Sequence, residues 1–90
     1  MSSDVRLYTT HELKIQPAFL HAILSGRKRC EMREESDRRY SPADVLILRG
    51  YLEGSYTGEE ARCIVTHCLR HRDFWAVPPG WVIMSIEVVA

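Results

Sequence analysis

Ninety residues suffice for one domain with a modest core and leave little room for a second lobe. Twelve Lys and Arg against twelve Asp and Glu give a formal net charge of zero, which excludes a global basic field for non-specific DNA binding. Three cysteines cannot all pair within the chain, no stretch reaches the roughly 18 apolar residues of a membrane span, and the N-terminus lacks a signal-peptide apolar core. The default reading is a soluble cytoplasmic domain with reduced thiols.

Residues 1–10 read as a lead-in, with Val5, Leu7 and Tyr8 available for edge contacts, and residues 11–90 as the domain. "HELKI", residues 11–15, alternates polar and apolar and predicts a short strand. His11, Leu13 and Ile15 share one side of it, Glu12 and Lys14 the other. Pro17 suits the first turn of a helix, Phe19, Leu20, Ile23 and Leu24 form its apolar stripe, and Gly26 stops it. A return strand starts near Arg29 or Cys30 and fades into the polar "EESDRRYSPAD" loop. "DVLILRGYL" predicts a buried strand, "EGSYTGEE" a turn, and "ARCIVTHCLR", residues 61–70, a further strand. "HRDFWAVPPG" is a loop, since Pro78 and Pro79 exclude a central strand. "WVIMSIEVV" closes the chain with Val82, Met84, Ile86 and Val88 on one apolar face. Four or five strands and one short N-terminal helix predict a mainly β (α+β) fold, a small, partly open β-barrel.

The stretch 27–39 holds six basic and four acidic residues, a mixed patch rather than a polybasic tail. Within it, a glycine turn at Gly26 lets an anion approach the backbone, with Arg27 and Lys28 supplying charge. Glu31 and Arg33 share one strand parity. Lys28 joins them only by staying in the turn, outside the regular strand. The competing reading is an exposed strip of ion pairs. Cys63, His67, Cys68 and His71 are acceptable zinc ligands, but their spacing is no paired CxxC knuckle, and a straight strand separates Cys63 and His67 from Cys68. No metal and no other cofactor is assigned. Cys30 lies near Arg29 and Arg33, yet a cysteine is ordinarily a small buried hydrophobe. Among the aromatics, Trp75 is the better candidate for stacking on a base, and Trp81 for anchoring the last strand.

The ordered segments "HELKIQPAFLHAILSGRKRCEMR", "SPADVLILRGYL", "YTGEEARCIVTHCL" and "GWVIMSIEV" resemble the ASCH superfamily, within the PUA-like β-barrel group. More narrowly, they resemble a small ASCH-related family of bacterial and phage proteins, over residues 11–88. The resemblance implies a cleft bordered by His11 and Lys14, by Gly26 and Lys28, and by Glu31 and Arg33. It departs at Arg29, where threonine is frequent, at Cys30, where an aromatic is frequent, and at Ala43, which replaces the glycine of an "xGD" turn. The implied function is an RNA- or nucleotide-binding domain. Lys14, Lys28 and Arg33 contact phosphates, Glu31 reads a base edge and Trp75 stacks. One alternative is a modified-nucleoside amidohydrolase or related hydrolase with Lys28 and Glu31 catalytic; Lys28 matches the lysine of such relatives, while Glu31 stands where they have threonine. Another is a protein-interaction or phage accessory module. The expected partners are thus RNA, a nucleotide or modified nucleoside, or a protein, with no membrane, for a monomer or weak dimer.

Overall fold

The computed structural model describes residues 8–89, so most of the 1–10 lead-in, with Val5 and Leu7, lies outside the described residues. Five strands and one helix follow in chain order: β1 (Thr10–Ile15), α1 (Pro17–Leu24), β2 (Cys30–Glu34), β3 (Val45–Leu52), β4 (Ser55–Leu69) and β5 (Trp81–Val88). They form one sheet in the order β1-β3-β4-β5-β2, with β1 parallel to β3 and the other pairs antiparallel. The sheet curls into a half-barrel, the mainly β, partly open architecture expected from the alternation. Among the described residues, no helix is long and apolar enough to cross a membrane.

Period-two alternation decides which side chains turn inward. Leu46 and Leu48 of β3, Ala61, Cys63 and Val65 of β4, and Val82, Met84 and Ile86 of β5 make one core with Leu20 and Ile23 of α1. The helix packs on β3 and β4, where Gly50 permits its approach. A Cβ on Gly50 would collide with Thr57 Oγ1 and crowd Leu20 Cδ2 at 3.2 Å. Phe19 and Leu24 share the apolar stripe but stay 49% and 46% exposed, because a helix of 8 residues buries only its innermost face here.

β4 is longer than its sequence suggests, since pairing resumes at Ser55 inside the segment that reads as a turn. Glu53 and Gly54, at φ 49° and 87°, form a two-residue hairpin loop whose positive φ values match the strand twist. Residues 55–60 are exposed throughout, so no apolar alternation marks them as strand. The arm they form projects from the core. The radius of gyration is accordingly 14.0 Å, against about 12 Å for a compact chain of this length. A register shift between Val65 and His67 then reverses the side-chain phase of β4. Cys68 therefore packs on the same core as Cys63, where a straight strand would separate them. Burial pushes the Cys63 thiol up to about 11 and raises that of Cys68, so both behave as small apolar groups.

Two carboxylates, Asp44 buried and Glu35 half-buried, tie the loops to this sheet. Asp44 accepts the N–H groups of Thr9 at 2.9 Å and Ser41 at 3.0 Å, and His11 Nε2 donates to it at 2.9 Å. Burial acts to raise the Asp44 carboxyl, but these donors outweigh it and hold the group below the usual aspartate range. Glu35 takes two hydrogen bonds from Arg70, at 2.8 and 2.9 Å, and one from the Tyr40 N–H at 2.9 Å. The Arg70 guanidinium holds the Glu35 carboxyl below its usual range, against the opposing effect of burial. Beside Asp44, Ala43 sits at φ 80°, in the left-handed region that favours glycine.

Ala43→Gly should raise the free energy of unfolding by about 0.5–1 kcal/mol in urea denaturation. A loss of stability would instead show that the Ala43 methyl contributes more through packing than it loses in strain. The lowered carboxyls predict an acid limb. Their contribution is complete above the unfolded values near pH 4–4.5 and is lost as pH falls through the lower folded values. Unfolding free energy measured across pH should be level above about pH 5 and drop below about pH 4. Glu35→Gln should make that drop shallower, and an unchanged limb would remove Glu35 from the account.

Candidate functional site

β1 and β2 are the outermost strands of the sheet, and its curl sets them across a seam. Arg33 of β2 spans that seam. Its Nη2 donates to the carbonyl of Lys14 at 3.0 Å, and its Nε to Glu31 Oε2 at 2.9 Å. Glu31 is only 5% exposed, and its other oxygen accepts Lys28 Nζ, which also donates to the carbonyl of Cys30. One buried carboxylate thus orients two cations, and the group keeps a net positive charge. Such an arrangement tolerates burial because each charge has a partner.

The helix terminus explains how Lys28 gets there. Gly26, at φ 82°, donates to the Ile23 carbonyl at 3.0 Å, and Arg27 donates to that of Ala22 at 2.9 Å, a Schellman turn. The Lys28 N–H shares the Ala22 carbonyl at 3.0 Å. Lys28 is therefore held in the turn ahead of β2, which begins at Cys30. From that position its ammonium meets Glu31, a contact that continuous strand alternation would forbid.

A cleft of about 460 Å³ opens over this seam, within the range of small-molecule sites. β1 and the residue after it supply Lys14, Ile15 and Gln16; α1 supplies Phe19; β2 supplies Glu31, Met32, Arg33 and Glu34; Lys28 and Trp81 complete the wall. Three cations, Lys14, Lys28 and Arg33, face two carboxylates, Glu31 and Glu34. Phe19 and Met32 are 49% and 44% exposed, so apolar surface lies open beside fixed charge. The Lys14 ammonium lies 4.3 Å from the Tyr51 ring centre, and that of Lys28 lies 5.8 Å from the Phe19 ring centre. This lining offers a planar group apolar surface to stack on and a polar or anionic group fixed cations to pair with.

Of the residues read from sequence as ligand contacts, the fold gathers Lys14, Lys28, Glu31 and Arg33 at this cleft. The rest lie elsewhere. His11 is buried, bonded to Asp44 and packed on Tyr40 with ring centres 4.6 Å apart. Gly26 shapes the turn, and Arg27 is exposed with its Nε donating to Ser25 Oγ at 3.1 Å. Trp75 is 78% exposed, beside Phe74 in the 70–80 loop and outside the cleft wall. Trp81, read as a strand anchor, lines the cleft because β5 pairs with β2 and sets Trp81 opposite Glu34. Phe19, Met32 and Gln16 were also missed. Phe19 is the outward member of a helical stripe too short to bury every member.

The bridge across the seam uses the side chain of Arg33 but only the backbone of Lys14. Arg33→Ala should therefore destabilise the fold by about 2 kcal/mol in urea denaturation. Lys14→Ala should change stability by less than about 0.5 kcal/mol. Equal losses would place the seam's cohesion elsewhere.

Comparison with known proteins adds a family to this geometry. The pattern of a family described as a domain of unknown function, DUF3850, matches residues 10–86. The protein described as "Uncharacterized 12.9 kDa protein in GpA 3'region", from Escherichia phage P2, is 36% identical over 56 residues. That stretch is 62% of this chain and 50% of the phage protein, so the chain spans about half the length of this relative. The fold is similar to the crystal structure of hypothetical protein PH0355, with a TM-score of 0.62 over 89% of this chain and 99% of that one, at 16% identity. A likeness at that identity shows the fold alone. The match across 10–86 carries the assignment: the chain belongs to the DUF3850 domain family.

Proposed function

We propose that this is an ASCH-related, PUA-like domain of the cytoplasm whose seam cleft binds one nucleoside unit, free or within RNA. The observation that carries the reading is Glu31, buried between Lys28 and Arg33 at the floor of a cleft edged by Phe19, Met32 and Trp81. An aromatic and thioether edge suits the face of a base, and fixed donors suit its polar rim. Overall neutrality fits recognition of a single unit rather than a long polyanion, whose capture needs an extended basic surface.

Hydrolysis by Lys28 and Glu31 is the weaker reading. A general base must stand within hydrogen-bond reach of the substrate proton, and Glu31 is only 5% exposed. Both Glu31 oxygens are engaged by cations, and the Lys28 ammonium is tied to that same carboxylate. Glu31 is better suited to orienting cations than to taking a proton.

The test is an NMR titration with the common ribonucleosides, short single-stranded RNAs and a pool of modified nucleosides. Saturable shifts at Phe19, Lys28, Met32 and Trp81, weakened about tenfold by Lys28→Ala, are the expected result. No shift at the cleft in a well-folded spectrum would overturn the reading in favour of a protein partner. Product accumulating in those samples and abolished by Lys28→Ala would overturn it in favour of the hydrolase.

A further inference from the structure

The wall made by Lys14 and Arg33 has a second side. A neighbouring cleft of about 330 Å³ is bounded by both of these residues and also by Arg38, Arg49, Glu12 and Tyr56. The two clefts therefore meet along one ridge. Their chemistry differs. The first balances three cations against two carboxylates beside apolar rings. The second sets four cations against the single carboxylate of Glu12.

Three of these four cations, Arg38, Arg49 and Lys14, are only loosely engaged. Arg38 lies 3.6 Å from Asp37, and Arg49 lies 3.2 Å from Glu12 and 3.6 Å from Glu60, all partly or largely exposed. Exposed pairs of this kind contribute little and exchange readily for a better partner. Lys14 has a ring beneath its ammonium and, among the described residues, no carboxylate within ion-pair distance. Guanidinium groups present paired donors whose geometry matches the oxygens of a phosphate. Arg33 is fixed on the ridge by Glu31 and the Lys14 carbonyl, so one edge of this second cleft is organised before any ligand arrives.

We propose that the ligand is phosphorylated: a nucleoside monophosphate unit with its base in the first cleft and its phosphate in the second. This rests on the nucleoside reading of the first cleft and narrows it. The phosphate contacts are then Arg38, near the end of the charged stretch after the helix, and Arg49 of β3. The shared chemistry has two sources, a free nucleotide or one unit of an RNA strand.

Calorimetric titration of the folded protein at low ionic strength separates these cases. Its ligands are each common ribonucleoside, the matching 5′-monophosphate and the matching dinucleoside monophosphate. The 5′-monophosphate or the dinucleotide should bind about tenfold tighter than the nucleoside. That advantage should shrink in high salt and fall towards unity in the double variant Arg38→Gln/Arg49→Gln, while Arg38→Lys/Arg49→Lys retains most of it. A tighter dinucleotide assigns the phosphate to an RNA strand, and a tighter monophosphate to a free nucleotide; either supports the proposal. Equal binding of nucleoside and phosphorylated ligands overturns it and leaves the nucleoside reading standing. So does a phosphate advantage that survives the glutamine variant, since the phosphate then lies elsewhere. Binding by none of the ligands overturns both readings.

Discussion

A curled five-stranded sheet that stops short of closure leaves two edge strands facing each other with backbone groups unsatisfied by sheet pairing. In this protein those strands are β1 and β2, and one guanidinium joins them. Arg33 donates to the Lys14 carbonyl on one side and to Glu31 on the other, so the seam's geometry and its electrostatics depend on the same side chain. Glu31 keeps that guanidinium in place and draws Lys28 in from the helix turn. Remove the bridge and the edges lose their common reference. The cleft exists because the barrel does not close.

The loops around the sheet obey a similar rule. Long connections such as 35–44 and 70–80 are pinned by one buried apolar side chain each, Tyr40 and Val77, and carboxylates facing backbone N–H groups and an arginine supply further ordering. Asp44 joins the start of β1 to the turn before β3, while Glu35 joins the segment after β2 to that after β4. Among the described residues, no buried side-chain nitrogen or oxygen lacks a partner, as an interior of low dielectric demands. His11 belongs to this framework. Its imidazole acts through Asp44 and Tyr40 at some remove from the cleft wall.

A formally neutral chain can still present a cationic surface when its carboxylates are used internally. Asp44 and Glu35 are engaged by His11 and Arg70, and Glu31 offsets only one of the two cations it orients at the seam. The charge bounding the two adjoining clefts is thus a product of folding and is hidden in a count of residues.

Local pattern alone specified much of the architecture. Alternation in "HELKI", the apolar run in "DVLILRGYL" and the final "WVIMSIEV" placed β1, β3 and β5, and Pro17 with Gly26 bracketed the helix, because period and backbone permissiveness are properties of neighbouring residues. The exposed arm of β4 escaped the same reading. Its strand pairing comes from a hairpin with two positive φ angles, and hydrogen bonds to the backbone leave no mark in side-chain polarity. Sequence also drew attention to Lys28, Glu31 and Arg33, which lie close along the chain. Trp81 and Phe19, and the displacement of Trp75 and His11 from the cleft, were decided only by tertiary structure. The pairing of β2 with β5 joins segments about fifty residues apart, and the curl that faces β1 with β2 is a property of the whole sheet. No window of sequence contains either, since both arise from hydrogen bonding and packing between distant strands.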